Sequence, residues 1–208
     1  HVEAAMGEGQ SNPTPTQINL KHSYSNMNNN EQPTLLVRVS DFNANGLIGG
    51  ETEKEDNFHL FCKSVFKTSS SNLRQGSFGL GKGVFYHQSG LSTVLMSSYC
   101  DVNGQNKMRV FGRSELQSHI CEEGKIERGT EECDGPGFFG IPTKTPRGHK
   151  AVSSIDDSNK ELKNLFLDRD LDMGTGTSVI SLAYKKEISV ENTIAHFNEN
   201  IKKWFWPA

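Results

Sequence analysis

The chain has 208 residues, of which 34% are hydrophobic, enough for one globular domain with a sizeable core. A net charge of −3 and a pI near 6.2 give no basic footprint for nucleic acid. No run approaches eighteen apolar residues and no charged-then-apolar leader is present, so neither a membrane span nor a signal peptide is expected.

The first forty residues are rich in Asn, Ser, Thr and Pro. Within them Gln17, Ile18, Asn19, Leu20, Lys21 and His22 alternate at period two, which predicts an exposed edge strand. Ser25, Asn26, Met27 and the three asparagines that follow then read as a hairpin loop. The next strand is predicted over 34–40, a β-branched and apolar run. It ends at Asp41, followed by Phe42, Asn43, Ala44, Asn45 and Gly46. An acid at the end of a buried strand, followed by Asn and Gly, suits a ligand-binding carboxylate, and equally an Asx-turn that merely closes the strand.

A polar, serine-rich stretch over 67–75 reads as a mobile loop and leads into Gly76, Ser77, Phe78, Gly79, Leu80, Gly81, Lys82 and Gly83. Glycines this dense let backbone N–H groups approach a ligand, a helix beginning after them favours negative charge, and Lys82 adds a point charge suited to phosphate. The segment nearly spells the P-loop pattern GxxxxGK[ST]. However, Gly83 stands where the Mg²⁺-binding hydroxyl belongs, and no buried strand precedes the loop. A glycine-rich turn without a ligand is the plainer alternative.

A hairpin is predicted between 93–99 and 107–112, turning at Asn103-Gly104. Residues 122–150 are charged and glycine-rich around Gly135, Pro136, Gly137, Phe138, Phe139 and Gly140, and read as an irregular surface excursion. The four cysteines, at 62, 100, 121 and 133, form no CxxC pair and fit a reduced, cytoplasmic protein. His119, Cys121 and Cys133 are not read as a metal cluster, because no second close pair completes one. Gly174, Thr175, Gly176 and Thr177 form a tight turn feeding an apolar strand. Finally, Ser189 caps a predicted helix whose Ile194, Phe197, Ile201 and Trp204 recur on one face, a stripe expected to pack on the sheet.

Taken in order, the Asp41 segment, the 76–83 glycine loop and Gly176-Thr177 resemble the three boxes of the GHKL ATPase superfamily (gyrase, heat-shock chaperone, histidine kinase, MutL). Among its members the chain looks most like the bacterial branch related to the MORC ATPases. The resemblance spans nearly the whole chain. It implies an α+β, two-layer sandwich (the Bergerat fold), with helices covering one face of a mixed sheet, here as one domain over 1–208 cut from a longer protein. It also implies a catalytic Glu and a Mg²⁺-binding Asn four residues on. Glu8 and Asn12 have that spacing, although glycines flank Glu8 and Pro13 ends any helix at once. Asn43 and Asn45 stand where many relatives have glycine; Asn tolerates left-handed backbone, so the turn can survive.

By that resemblance Asp41 would accept the adenine amino group, with Thr177 helping through a water and Asn43 and Gly46 forming the adjacent wall. Residues 76–81 (Gly76, Ser77, Phe78, Gly79, Leu80, Gly81) and Lys82 would hold the phosphates, Asn12 the Mg²⁺, and Glu8 would activate the attacking water. The implied activity is slow, Mg²⁺-dependent ATP hydrolysis that gates homodimerisation. The analogy extends to restriction or phage-defence systems with a nuclease or helicase partner. The alternatives are a nucleotide-binding module without hydrolysis and a histidine-kinase-type catalytic domain.

Overall fold

In a computed structural model the chain is described over residues 5–6, 12–29, 34–51, 56–64, 81–121, 131–145, 148–155, 165–185 and 189–204. Glu8 and residues 76–80 (Gly76, Ser77, Phe78, Gly79 and Leu80) lie outside these, as does the 67–75 stretch. The centre is a five-stranded sheet in the order β1-β9-β2-β3-β6. Its strands are β1 (Val37–Ser40), β2 (Thr93–Val102), β3 (Gln105–Glu115), β6 (Pro136–Phe139) and β9 (Gly176–Ser181). Two ribbons stand apart from it, β4 (His119–Cys121) with β5 (Glu131–Cys133), and β7 (Ile141–Thr145) with β8 (Gly148–Ser153).

All four pairings of the sheet are antiparallel, which corrects the expected mixed sheet. The reason is topological. β2 and β3 are joined by a two-residue turn with Asn103 and Gly104 both at positive φ, a geometry that fits the twist of paired strands. β9 then enters between β1 and β2, running opposite to both.

One face of the sheet carries Val94, Met96, Phe111 and Val179, packed against Leu47, Phe58 and Cys62, with Phe85 and Tyr86 at the margin. The covering elements are a short π-helix (His59–Lys63) and the helix α2 (Gly83–Gln88). Helices thus cover this face, as an α+β fold requires. On the opposite face Val110 and Ile180 pack with Leu167, and Leu36, Leu95 and Ile155 complete the cluster.

The predicted N-terminal edge strand is instead helix α1 (Pro15–Asn28); of the hairpin loop expected over 25–30, Ser25–Asn28 form its last turn, Asn29 its C-cap, and Asn30 lies outside the described residues. Local chemistry decides this against the period-two pattern. The Thr14 hydroxyl accepts from the Gln17 amide at 3.3 Å, the Gln17 side chain accepts from the Thr14 amide at 2.9 Å, and Pro15 sits in the first turn. Gln17, Leu20 and Tyr24 then share one face, with Leu20 buried against Ala5, Met6 and Leu91.

Two further expectations are corrected. The segment around Gly135 is no irregular excursion: Pro136–Phe139 is β6, paired with β3 at the sheet edge. The C-terminal helix α3 (Val190–Trp204) does begin at Ser189, whose hydroxyl accepts from the Asn192 amide, but its apolar stripe does not pack on the sheet. Ile194, Phe197, Ile201 and Trp204 are all exposed, Trp204 by 70%, and the Phe197 ring lies 6.4 Å from that of Tyr184. Periodicity defines an apolar face; it does not say what that face meets.

Candidate functional site

Asp41 stands just past the last residue of β1, and β9 fixes it there. Its backbone amide donates to the Thr177 carbonyl at 2.9 Å, and its carboxylate Oδ1 accepts the Thr177 amide. Residues 136 apart in sequence are therefore locked through both backbone and side chain. With Oδ1 occupied, Oδ2 is the oxygen available to an incoming donor. A Cβ at Gly176 would fall 2.5 Å from the Asp41 carbonyl and 2.6 Å from Oδ1, so only glycine admits this approach.

The loop after Asp41 folds back over the sheet. Asn43 adopts the left-handed conformation (φ 54°), as its side chain allows, and the Ala44 amide donates to the Thr175 carbonyl at 3.1 Å. Gly46, at φ 69°, passes so close to β2 that a Cβ would meet Ser98 Oγ at 2.7 Å. Ser98 ties the wall together: its hydroxyl accepts from the Leu47 amide at 2.9 Å, reaches the Gly176 carbonyl at 2.9 Å, and lies 3.3 Å from Thr177 Oγ1. Asp41, Asn43, Gly46 and Thr177 are thus brought into one site.

Several of its residues carry no signal in the sequence. Arg169 is buried, with Nη2 donating to the Asp41 carbonyl at 2.6 Å and Nη1 to Ser178 Oγ at 2.5 Å, and its guanidinium lies over the Phe42 ring. Arg109 clamps the loop from β3, donating to the carbonyls of Leu47 at 2.9 Å and Gly49 at 2.7 Å. Asp168-Arg169-Asp170 and Lys107-Met108-Arg109 read in the sequence as ordinary charged surface, so neither cation could be singled out.

Gly81 and Lys82 lie at the other end of β9, where Ser181 Oγ donates to the Phe85 carbonyl of α2 at 2.9 Å. Thr177 and Ser181 sit on the same face of β9, four residues and roughly 13 Å apart at ~3.3 Å per residue. Ala5 and Met6 are buried near this second end, against Leu91, Leu182 and Ala183. Asn12 is exposed, two residues before the Thr14 cap, and Thr14 Oγ1 reaches Gln117 just beyond β3. The nearest described segment before the glycine loop is the π-helix ending at Lys63, with Ser64; the residues that directly precede the loop lie outside the described ones.

The Lys82 ammonium donates to the carbonyls of Leu60, at 2.5 Å, and Ser64, both from the π-helix region. Burial, reinforced by Arg113, lowers its pKa from 10.5 to about 8. The folded chain therefore holds this proton less tightly than the unfolded chain. The cost of burying the charge is present in full below about pH 8 and is relieved as pH rises from there towards 10.5. Lys82→Met should flatten that rise in stability, as read by urea denaturation at pH 7 and pH 9.5.

Among the described residues no group of three or more His, Cys, Asp or Glu is arranged to hold a metal ion, and no helix is long and apolar enough to cross a membrane. No protein-family model, curated protein or solved structure matches this chain.

Proposed function

We propose that the chain is an ATP-binding domain of the GHKL type, reading adenine at Asp41 and hydrolysing ATP slowly with Mg²⁺. The observation that carries this reading is the lock between Asp41 and Thr177, which leaves a fixed carboxylate oxygen beside a loop wall made by Asn43, Gly46 and Ser98. A carboxylate accepts only, so it selects a ring edge that donates, as the adenine amino group does. The span from this end of β9 to the start of α2 is comparable with the length of a nucleoside triphosphate. The glycine-rich segment and Lys82 then belong to the phosphate end.

The side chains present suit the implied ion in type. Asn12 offers a neutral amide oxygen, a hard ligand that leaves Mg²⁺ its bonds to phosphate and water, and the ion would neutralise charge on the phosphates. Glu8, two residues after the buried Met6, would orient and deprotonate the attacking water. An ATP-dependent homodimer, with a nuclease or helicase working beside it in restriction or phage defence, and a cytoplasmic setting, complete the proposal.

Calorimetric ATP affinity compared with single-turnover hydrolysis tests it. Glu8→Ala should keep the affinity and lose roughly 10²–10⁴-fold in turnover, the usual worth of a general base. A second reading, a binding module without hydrolysis, draws on Lys82, whose ammonium already has two carbonyl partners within the chain. Tight ATP binding with no turnover in the unmodified protein would select it.

A further inference from the structure

The end of the π-helix is held by two cations whose charges are met in different ways. Arg113, 2% exposed, donates from Nη1 to the Cys62 carbonyl at 3.3 Å, and its Nη2 is fixed by the Glu115 carboxylate at 2.6 Å. Lys82 donates to the carbonyls of Leu60 and Ser64, two residues to either side of Cys62. The last carbonyls of a helix have no partner within it, and here the two side chains supply one.

Arg113 is answered by a carboxylate. Among the described residues Lys82 has none within ion-pair distance, only the two neutral carbonyls. Burial, with Arg113 beside it, holds its pKa below the ordinary lysine value. An ammonium withdrawn from water and met by neutral groups alone is held at a cost, and an anionic oxygen is the stronger acceptor for it.

The rest of the π-helix is anchored without Lys82. Phe58 and Cys62 are buried in the core, and the Ser64 amide donates to the His59 carbonyl at 2.9 Å. Removing the ammonium therefore frees the end of the helix without unseating it. From there contacts lead towards Asp41. The Phe58 amide donates to the Ile48 carbonyl at 3.2 Å, and its ring lies against Arg109, which holds the Leu47 and Gly49 carbonyls. Helical turns of this π type are rare and recur at functional sites.

We propose that Lys82 is a parked cation: a phosphate group of the nucleotide draws it from the Leu60 and Ser64 carbonyls, and the released end of the π-helix reports that the phosphate end is filled. This rests on the nucleotide-binding reading above. Adenosine, which carries no phosphate, fills the Asp41 end and leaves Lys82 parked.

Hydrogen exchange of the full chain, read by mass spectrometry on peptides covering 56–64, tests this beside calorimetry, with each ligand at a concentration that calorimetry shows to saturate. ATP with Mg²⁺ should quicken exchange there by roughly 10-fold, the low end for losing one hydrogen bond from a charged group. Adenosine should leave it unchanged. Lys82→Met should exchange fast without nucleotide and gain nothing from ATP, whereas the comparison of ATP with adenosine needs no variant. Unchanged or slowed exchange while ATP binds would overturn the parked-cation proposal and leave the nucleotide reading standing. Equal quickening by ATP and adenosine would overturn it too, since phosphate would not be the trigger. If neither ligand binds, both readings fall together.

Discussion

Asp41→Asn is expected to weaken ATP binding by roughly 10- to 150-fold while leaving thermal stability nearly unchanged. The magnitude is that of one hydrogen bond to a charged group, ~1.5–3 kcal/mol. The substitution separates two jobs held by one side chain. An amide keeps a carbonyl oxygen for the Thr177 N–H, so the lock between β1 and β9 survives. Its other half is an NH₂ donor where the carboxylate offered Oδ2, and a donor cannot receive the adenine amino group. Asp41→Ala removes both and should lose stability as well as binding. The complementary ligand is inosine triphosphate, whose ring carries an acceptor in place of the amino group; it should bind the unmodified chain weakly. Calorimetry with both nucleotides on both proteins gives the full comparison, and equal affinity of Asp41→Asn for ATP would remove Asp41 from the site.

Phe58→Ala should destabilise the fold by about 3–5 kcal/mol in urea titrations, the usual range for emptying a buried aromatic position. Phe58 is 1% exposed and meets Phe111 edge-on, with ring centroids 5.4 Å apart. It also bears the Arg109 guanidinium 3.8 Å above its ring. Arg109 is nearly inaccessible, with the Glu51 carboxylate 3.6 Å away. Cutting away the ring leaves a cavity beside a buried cation, two costs that add. Because Arg109 holds the Leu47 and Gly49 carbonyls, the same variant should, on the proposed function, bind ATP more weakly although Phe58 lies outside the proposed nucleotide site. Phe58→Leu, which fills most of the space, should recover much of both losses.

Where local chemistry and pattern agree, the sequence is a good guide. Asn103-Gly104 turns a hairpin because its backbone needs positive φ at two successive residues, and Ser189 starts α3 because its hydroxyl meets an unpaired amide. Where they conflict, the choice is harder. Gln17 through His22 alternates like a strand, yet the capping box at Thr14 and the proline in the first turn commit the segment to helix. The Gly135 segment becomes β6 only because the exposed edge of β3 is there to receive it, a partner no local pattern reveals. The site divides in the same way. Asp41, Gly46 and Thr177 could be read from turn chemistry, whereas Arg169, Arg109 and Ser98 act through contacts made across the fold and look unremarkable along the chain.

The place of β9 in the sheet has a consequence for how the chain must be assembled. Among the described residues β9 is the last strand in sequence, at Gly176–Ser181, yet it lies between β1 and β2. During synthesis the β2–β3 hairpin can close as soon as it emerges, since its partners are adjacent. β1 must wait with its edges unpaired until more than 130 further residues have been made. Closing so long a loop is entropically costly and slow, which places the incorporation of β9 late in folding. The Asp41–Thr177 lock forms in that same late step, so the proposed adenine site cannot exist in any chain that stops short of β9.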